Sequence, residues 1–297
     1  MDVKENFKAG YVSVAGLPNV GKSTLLNQIM GSKLAIVSPK PQTTRGVMRC
    51  IFTTDEAQII FLDTAGMHKP QDSLGEFMVD SVFKSFNDAD VIYLIVECLK
   101  PKKHEIELIE KVKSHNKTTF LIINKVDLVK KEELLPIIEY YRSIMDFEEI
   151  FPVSALNGEN VDALLKETVS RMPFSPAYYP DDIVSDQIER DFISEFIREK
   201  VYNNTREEIP YSSAVVVEDM TERENGGAYI SATIYLEKDS QKGILVGKGG
   251  SMIKKIGRDA RFEIERFMGF KVYLELQVKV KPKWRKDIKS LRKLGYK

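Results

Sequence analysis

From Gly16 the chain reads Gly16-Leu17-Pro18-Asn19-Val20-Gly21-Lys22-Ser23, followed by Thr24, and these residue types at this spacing suit one chemistry. The glycines let the backbone curl so that successive N–H groups face phosphate oxygens. Lys22 brings positive charge to the outer phosphates, and the Ser23 hydroxyl can ligate Mg²⁺ at the positive end of a following helix. An ordinary tight turn would need neither the lysine nor the hydroxyl.

Three further short segments extend this reading. Asp63-Thr64-Ala65-Gly66 closes an apolar run, where a strand-end carboxylate reaches Mg²⁺ through its water shell and Gly66 can turn a backbone N–H to the terminal phosphate. Asn124-Lys125-Val126-Asp127 closes another, and its Asp carboxylate can accept both N1–H and N2–H of guanine, a donor pair that adenine lacks. Lys125 can lie over the base plane, and Ser154-Ala155 can supply a backbone N–H to guanine O6. In this order, each behind a strand-like run, the four segments imply GTP or GDP with Mg²⁺ rather than ATP. Met67 follows Gly66, where a glutamine amide would orient the attacking water in Ras-type GTPases; slow intrinsic hydrolysis, completed or accelerated by a partner, is expected.

A second chemistry lies near the other end. Gly247-Lys248-Gly249-Gly250 is a GxxG loop between two short helical stretches, flanked by Ile244, Val246, Ser251, Ile253, Lys254, Lys255 and Ile256. Such a loop brings a sugar-phosphate backbone close to its glycines, while the apolar residues form either a groove floor or core, most of them core. Lys248 is expected to face phosphate. The basic end of the chain, including Lys283 and Arg285, adds sequence-independent affinity for RNA backbone, and Trp284 either stacks on a base or packs inward.

These loops need rigid elements. Apolar β-type runs at residues 11–15, 46–52, 58–62, 91–97, 120–124 and 150–153 alternate with helical stretches at 22–30, 81–86, 104–114, 131–144 and 161–172. The alternation predicts an α/β domain, a mostly parallel sheet with helices on both faces, and its ligands at the carboxyl ends of the strands. Residues 173–182, with three prolines, read as a linker. Residues 185–204 then read as a helix with Ser185 as N-cap, 211–218 and 228–238 as strands around a turn at Asn225-Gly226-Gly227, and 271–280 as a strand buried on one face. That half is α+β. The boundaries are 1–173, a linker at 174–183, and 184–297.

Composition agrees. Lys plus Arg and Asp plus Glu are 44 each, yet residues 241–297 hold 17 basic and 5 acidic residues, leaving an acidic excess in the rest. A polyanion-binding module joined to something that is not one has this signature. An apolar fraction of 43 % with regular periodicity argues against disorder, and no run approaches the length of a membrane-spanning helix. The first ten residues lack the apolar segment of a signal peptide, and Cys50 and Cys98 fit buried free thiols in a reducing cytoplasm. The three histidines are too scattered for a metal site.

The motifs quoted above resemble the translation-factor-like GTPases and, within them, the Era family. The resemblance covers nearly the whole chain, because Lys40-Pro41-Gln42-Thr43-Thr44-Arg45 is similar to that family's switch segment and residues 184–297 resemble a KH domain of the type II arrangement. It implies that a switch threonine closes over Mg²⁺ and the γ phosphate; of Thr43 and Thr44, Thr44 is preferred because it directly precedes a basic residue. The expected catalytic set is then Lys22, Thr44, Asp63 and Gly66, with Ser23, Thr44 and Asp63 around the metal. Asn19 matches the residue that helps hold K⁺ in related potassium-activated GTPases. The resemblance further implies a monomer that grips the 3′ end of small-subunit rRNA and acts on the small ribosomal subunit. The alternative from another class is a signalling or membrane-peripheral switch with a protein or anionic-lipid partner. An RNA-modifying enzyme finds no nucleophile or second cofactor loop.

Overall fold

The computed structural model describes residues 6–38, 40–223 and 226–296. They form two compact units: residues up to Lys69 with Phe77–Asp186, and Pro70–Glu76 with Gln187 onward.

The first unit carries a six-stranded sheet of β1 (Lys8–Gly16), β2 (Met48–Thr53), β3 (Ala57–Asp63), β4 (Val91–Glu97), β5 (Thr118–Asn124) and β6 (Glu149–Val153), in the order β2-β3-β1-β4-β5-β6. Only β2 runs antiparallel, against β3. Every residue of β3 is buried, as is most of β4, which is why both read as unbroken apolar runs: a parallel strand covered on two faces has no solvent side. The helices are α1 (Lys22–Met30), α2 (Ser73–Asp88), α3 (Lys103–Ser114), α4 (Lys131–Ile144) and α5 (Val161–Arg171). Helix α2 is far longer than the expected 81–86. Its start escapes a periodicity reading because the signal is Asp72, whose Oδ1 accepts from Gly75 N at 2.9 Å.

The stretch expected as a linker is anchored rather than loose. Pro173 O accepts from Ala9 N at 3.1 Å, and the Gln58 side chain, fully buried, accepts from Tyr178 N and Tyr179 N and donates to Tyr179 O at 2.8–2.9 Å. Further on, Val184 O accepts from Ile51 N at 2.9 Å and Ser185 Oγ donates to Arg49 O at 2.7 Å. Ser185 is therefore not a helix cap. It adds to the open edge of β2, which would otherwise present unpaired backbone groups, and α6 begins only at Glu189.

The second unit runs α6 (Glu189–Asn204), α7 (Ile209–Ser212), β7 (Ala214–Arg223), β8 (Gly227–Leu236), α8 (Asp239–Val246), α9 (Ser251–Met268), β9 (Val272–Val280) and α10 (Ile288–Lys293). Its sheet has the order β7-β8-β9, with β7 antiparallel and β9 parallel to β8. Residues 211–213, expected as strand, belong to α7 and its end because Pro210 starts a helical turn. In the expected hairpin turn, Gly226 N donates to Arg223 O at 3.0 Å; Asn225 lies outside the described residues, as do Met1 to Glu5 and Lys297. Trp284 is fully buried, donates from Nε1 to Ser212 O at 2.9 Å and stacks on Tyr296, so it is core and no base platform.

Candidate nucleotide and nucleic-acid sites

In the first unit all four motif loops emerge at carboxyl ends of strands: Gly16–Ser23 after β1, Thr64–Gly66 after β3, Lys125–Asp127 after β5 and Ser154-Ala155 after β6. A cleft of about 400 Å³ is lined by Pro18, Asn19, Gly21–Thr24, Gln42–Thr44, Gly66 and Lys125, with Ile36 to Ser38 completing the wall. Gly21 starts α1 at φ 102, and a Cβ there would stand 2.2 Å from Asn124 Nδ2, so both the conformation and the space require glycine. Val20 is buried and Leu17 packs on the core; neither lines the cleft, and their carbonyls accept from Asn124 Nδ2 and Lys22 Nζ.

At the start of α1 three oxygens converge. Ser23 Oγ lies 3.2 Å from Thr44 Oγ1 and 3.3 Å from Asp63 Oδ2, and Thr44 Oγ1 donates to Asp63 Oδ2 at 3.2 Å. Thr43 Oγ1 instead donates to Lys40 O at 2.9 Å, away from this cluster. Asp63 is fully buried, and its Oδ1 has no hydrogen-bond partner among the described residues. An orphaned buried carboxylate oxygen beside two hydroxyls fits Mg²⁺, which takes few protein ligands and keeps its waters. No group of three or more His, Cys, Asp or Glu side chains offers a metal cage among the described residues.

Lys22 is buried and donates from Nζ to Gly16 O at 3.2 Å and Leu17 O at 3.0 Å. Burial pulls its ammonium down to about 8 despite the attraction of Asp63. Burial likewise pushes the Asp63 carboxyl up to about 6, against Lys22, the Thr44 and Ser23 hydroxyls and the Thr64 N–H. Phosphate against the first and a divalent cation against the second would each favour the charged form. Thr64 spends its hydroxyl on Val14 O at 2.6 Å, fixing β3 to β1, and Ala65 is buried. Met67 is buried in the core, its N–H on Gly16 O at 3.0 Å.

The expected guanine-binding residues are tied together. Asn124 Nδ2 donates to Val20 O at 2.8 Å, and its Oδ1 accepts from Lys125 N at 2.8 Å and Ala155 N at 2.9 Å. The oxygen and one N–H of the amide thus join three loops, and Asn124 holds the walls of the site. Ser154 Oγ donates to Asp127 Oδ1 at 2.6 Å, and Lys125 Nζ reaches Asn19 O at 2.8 Å and pairs with Glu97. Asp127, Ser154 and Ala155 stand outside the cleft lining and connect to it through Lys125 and Asn124. Glu97 and His68, whose ring Nδ1 donates to Gly66 O at 2.9 Å, were not foreseen; their only sequence signal is a polar residue just beyond a strand or motif.

In the second unit the GxxG loop turns at Gly247, Gly249 and Gly250, all with φ between 59 and 75. Lys248, Ser251, Lys254 and Lys255 are exposed around it. Of the four flanking apolar residues only Ile256 is core; Val246 and Ile253 are half-buried, and Ile244 is 56 % exposed beside the loop. Lys283 is exposed, but Arg285 is mostly buried and spends its guanidinium on Asp72 Oδ2 at 2.5 Å. Arg285 is engaged in the fold and not offered to RNA.

Residues 11–125 match the family model of the 50S ribosome-binding GTPases, and residues 208–285 that of the KH domain. The chain is 47 % identical over 293 residues to GTPase Era of Ruminiclostridium cellulolyticum, covering 98 % of both. It is 38 % identical to Era crystallised with MgGDPNP and nucleotides 1506–1542 of 16S ribosomal RNA, at a TM-score of 0.95 over 98 % of this chain and 99 % of that one. The same values hold for a variant of Aquifex aeolicus Era bound to GDP·AlF4⁻. A phosphate-binding loop, a guanine-selecting loop and a GxxG loop, carried in this order on this fold, make the chain a member of the Era family, a GTPase with a C-terminal KH domain.

Proposed function

We propose that this GTPase acts in assembly of the small ribosomal subunit, gripping the single-stranded 3′ end of small-subunit rRNA with its KH loop in a nucleotide-dependent manner. The supporting observation is that a relative of the same fold over 98 % of this chain holds both MgGDPNP and that stretch of rRNA.

In this reading Lys22 and the backbone N–H groups of residues 17–24 bind the phosphates, and Ser23, Thr44 and Asp63 hold Mg²⁺. Bound Mg²⁺ supplies charge neutralisation across the transferred phosphoryl group. Gly66 offers its N–H to the γ phosphate. Asp127, oriented by Ser154, keeps its second carboxylate oxygen for guanine, and the Ala155 N–H is already committed to Asn124 Oδ1. Met67 cannot orient water, so turnover by the chain alone is slow. Asn19 helps retain K⁺ beside the phosphates; equal turnover in potassium and sodium buffers would remove that assignment. Residues 1–173 are the GTPase, 184–297 the RNA-binding part and 174–183 the junction, in a cytoplasmic monomer. Among the described residues no helix is long and apolar enough to cross a membrane.

The test is crosslinking in cell extract and sequencing of the bound RNA, with a non-hydrolysable GTP analogue and with GDP. Enrichment of the small-subunit rRNA 3′ end with the analogue alone is expected. Equal, scattered or absent recovery in both states contradicts the assignment and turns attention to a protein or lipid partner.

A further inference from the structure

Strand β4 reads Val91-Ile92-Tyr93-Leu94-Ile95-Val96-Glu97, six buried residues followed by a carboxylate. The β4–β5 register places Glu97 beside Asn124, so its side chain shares the sheet face from which Asn124 holds the P-loop. Its own backbone is fixed there: Glu97 O accepts from Leu99 N at 2.7 Å, and the next residue, Cys98, donates to Asn124 O at 3.1 Å. From this position Glu97 Oε1 accepts from Lys125 Nζ, and the same ammonium donates to Asn19 O at 2.8 Å. Lys125 leaves β5 in the left-handed region, at φ 68, and lines the cleft between these two anchors. Its head group is thus tied to the end of β4 on one side and to the phosphate loop on the other.

We infer that Glu97 is a positioning residue for guanine recognition, which holds Lys125 along the base wall of the cleft. The inference rests on the reading of Lys125 as the residue over the base plane and deepens it. Two physical effects carry it. A lysine has a long, flexible stem, and ordering it when the base arrives costs conformational entropy; an ammonium already held at two points leaves little of that cost for the binding step. The second effect is directional. A lysine beside a nucleotide is drawn toward the phosphates, and the Glu97 carboxylate supplies a competing anion that keeps Lys125 on the base side, leaving the phosphates to Lys22. The side chains of Lys125 and Glu97 are 34 % and 36 % exposed, so their ion pair adds little to the stability of the fold. Its consequence falls on the ligand.

The experiment is a double-mutant cycle on the full chain, reading Mg·GDP affinity by calorimetry, steady-state GTP turnover and the melting temperature. Glu97→Ala is expected to weaken GDP binding about tenfold, the equivalent of most of a lysine's side-chain freedom. The KM for GTP should rise by the same factor with kcat unchanged, because a base contact is equally strong in ground state and transition state. Glu97→Gln, which keeps the length and the acceptor but not the charge, should recover about a third of the lost affinity, as charge-assisted hydrogen bonds are roughly twice as strong as neutral ones. In a Lys125→Ala background, Glu97→Ala should cost nothing further, and the melting temperature of Glu97→Ala should stay at its original value. A full penalty from Glu97→Ala in the Lys125→Ala background would overturn the inference, since the carboxylate would then act without the lysine. So would an affinity loss in Lys125→Ala with none in Glu97→Ala. Failure of the underlying base reading is distinct: Lys125→Ala itself would then leave GDP affinity intact, and the inference would fall with it.

Discussion

The nucleotide cleft and the face around the GxxG loop are built in opposite ways. In the cleft, Asn124, Asp63, Lys22 and Thr64 are all buried and hydrogen-bonded: Asn124 ties three loops together, Thr64 ties the end of β3 to β1, Lys22 bonds back onto its own loop, and one Asp63 oxygen has no partner among the described residues. Around the GxxG loop and along α9 the cationic side chains are exposed, while of the helix carboxylates Glu263 and Glu265 pair with Lys200 and Lys271, and Asp259 with its neighbour Arg258. A compact, highly charged ligand with a metal is held by donors fixed beforehand, because reorganising buried dipoles on binding is costly. A flexible polymer needs only a row of cations and a few flat surfaces. The same chain therefore stores one site in its fold and wears the other on its surface.

Substitutions should separate the two. The largest effect is expected from Lys22→Ala, which removes the buried cation of the cleft: nucleotide affinity should fall by about 3–5 kcal/mol, as for breaking a buried charge pair, while tetranucleotide RNA binding measured without nucleotide is unchanged and its response to the GTP analogue is lost. Isothermal titration with GDP and with RNA reads both. Next is Asn124→Ala. It strands Val20 O, Lys125 N and Ala155 N, and should lower stability by about 2–3 kcal/mol while weakening guanine nucleotide binding. Urea denaturation monitored by circular dichroism checks it, and an unchanged midpoint would show that water replaces the amide without loss. The smallest effect belongs to the exposed side. Lys248→Asp should weaken RNA binding about tenfold, within the range for one phosphate-facing residue, and leave the melting temperature and GTP turnover at their original values.

The same contrast explains what the sequence disclosed. The cleft motifs were legible because phosphate, Mg²⁺ and guanine each demand particular residue types at fixed places behind strands, and the strands announced themselves as apolar runs. The role of Asn124 was not legible, since its partners Val20 and Ala155 are brought to it only by the sheet order. Thr44 was separated from Thr43 only by comparison with related GTPases, whereas the Ser23–Asp63 cluster distinguishes them by geometry. Ser185 looked like a cap because a serine before an amphipathic run is a local signal, and the edge of β2 outcompeted it. Arg285 looked like an RNA contact, and Trp284 stayed open between stacking and packing, because both sit in a basic stretch, and composition cannot tell a solvated residue from one facing Ser212 or Asp72.

The most direct test of this division is the salt dependence of both affinities in one preparation, for Mg·GDP and for the 3′-terminal rRNA fragment. The RNA affinity should fall with a log–log slope of about −0.7 per phosphate contacted, several units in all, and the nucleotide affinity should fall far less steeply because its contacts are buried and short. Parallel slopes for the two ligands would contradict the account, by showing that the RNA is held as the nucleotide is, in a closed and preformed site.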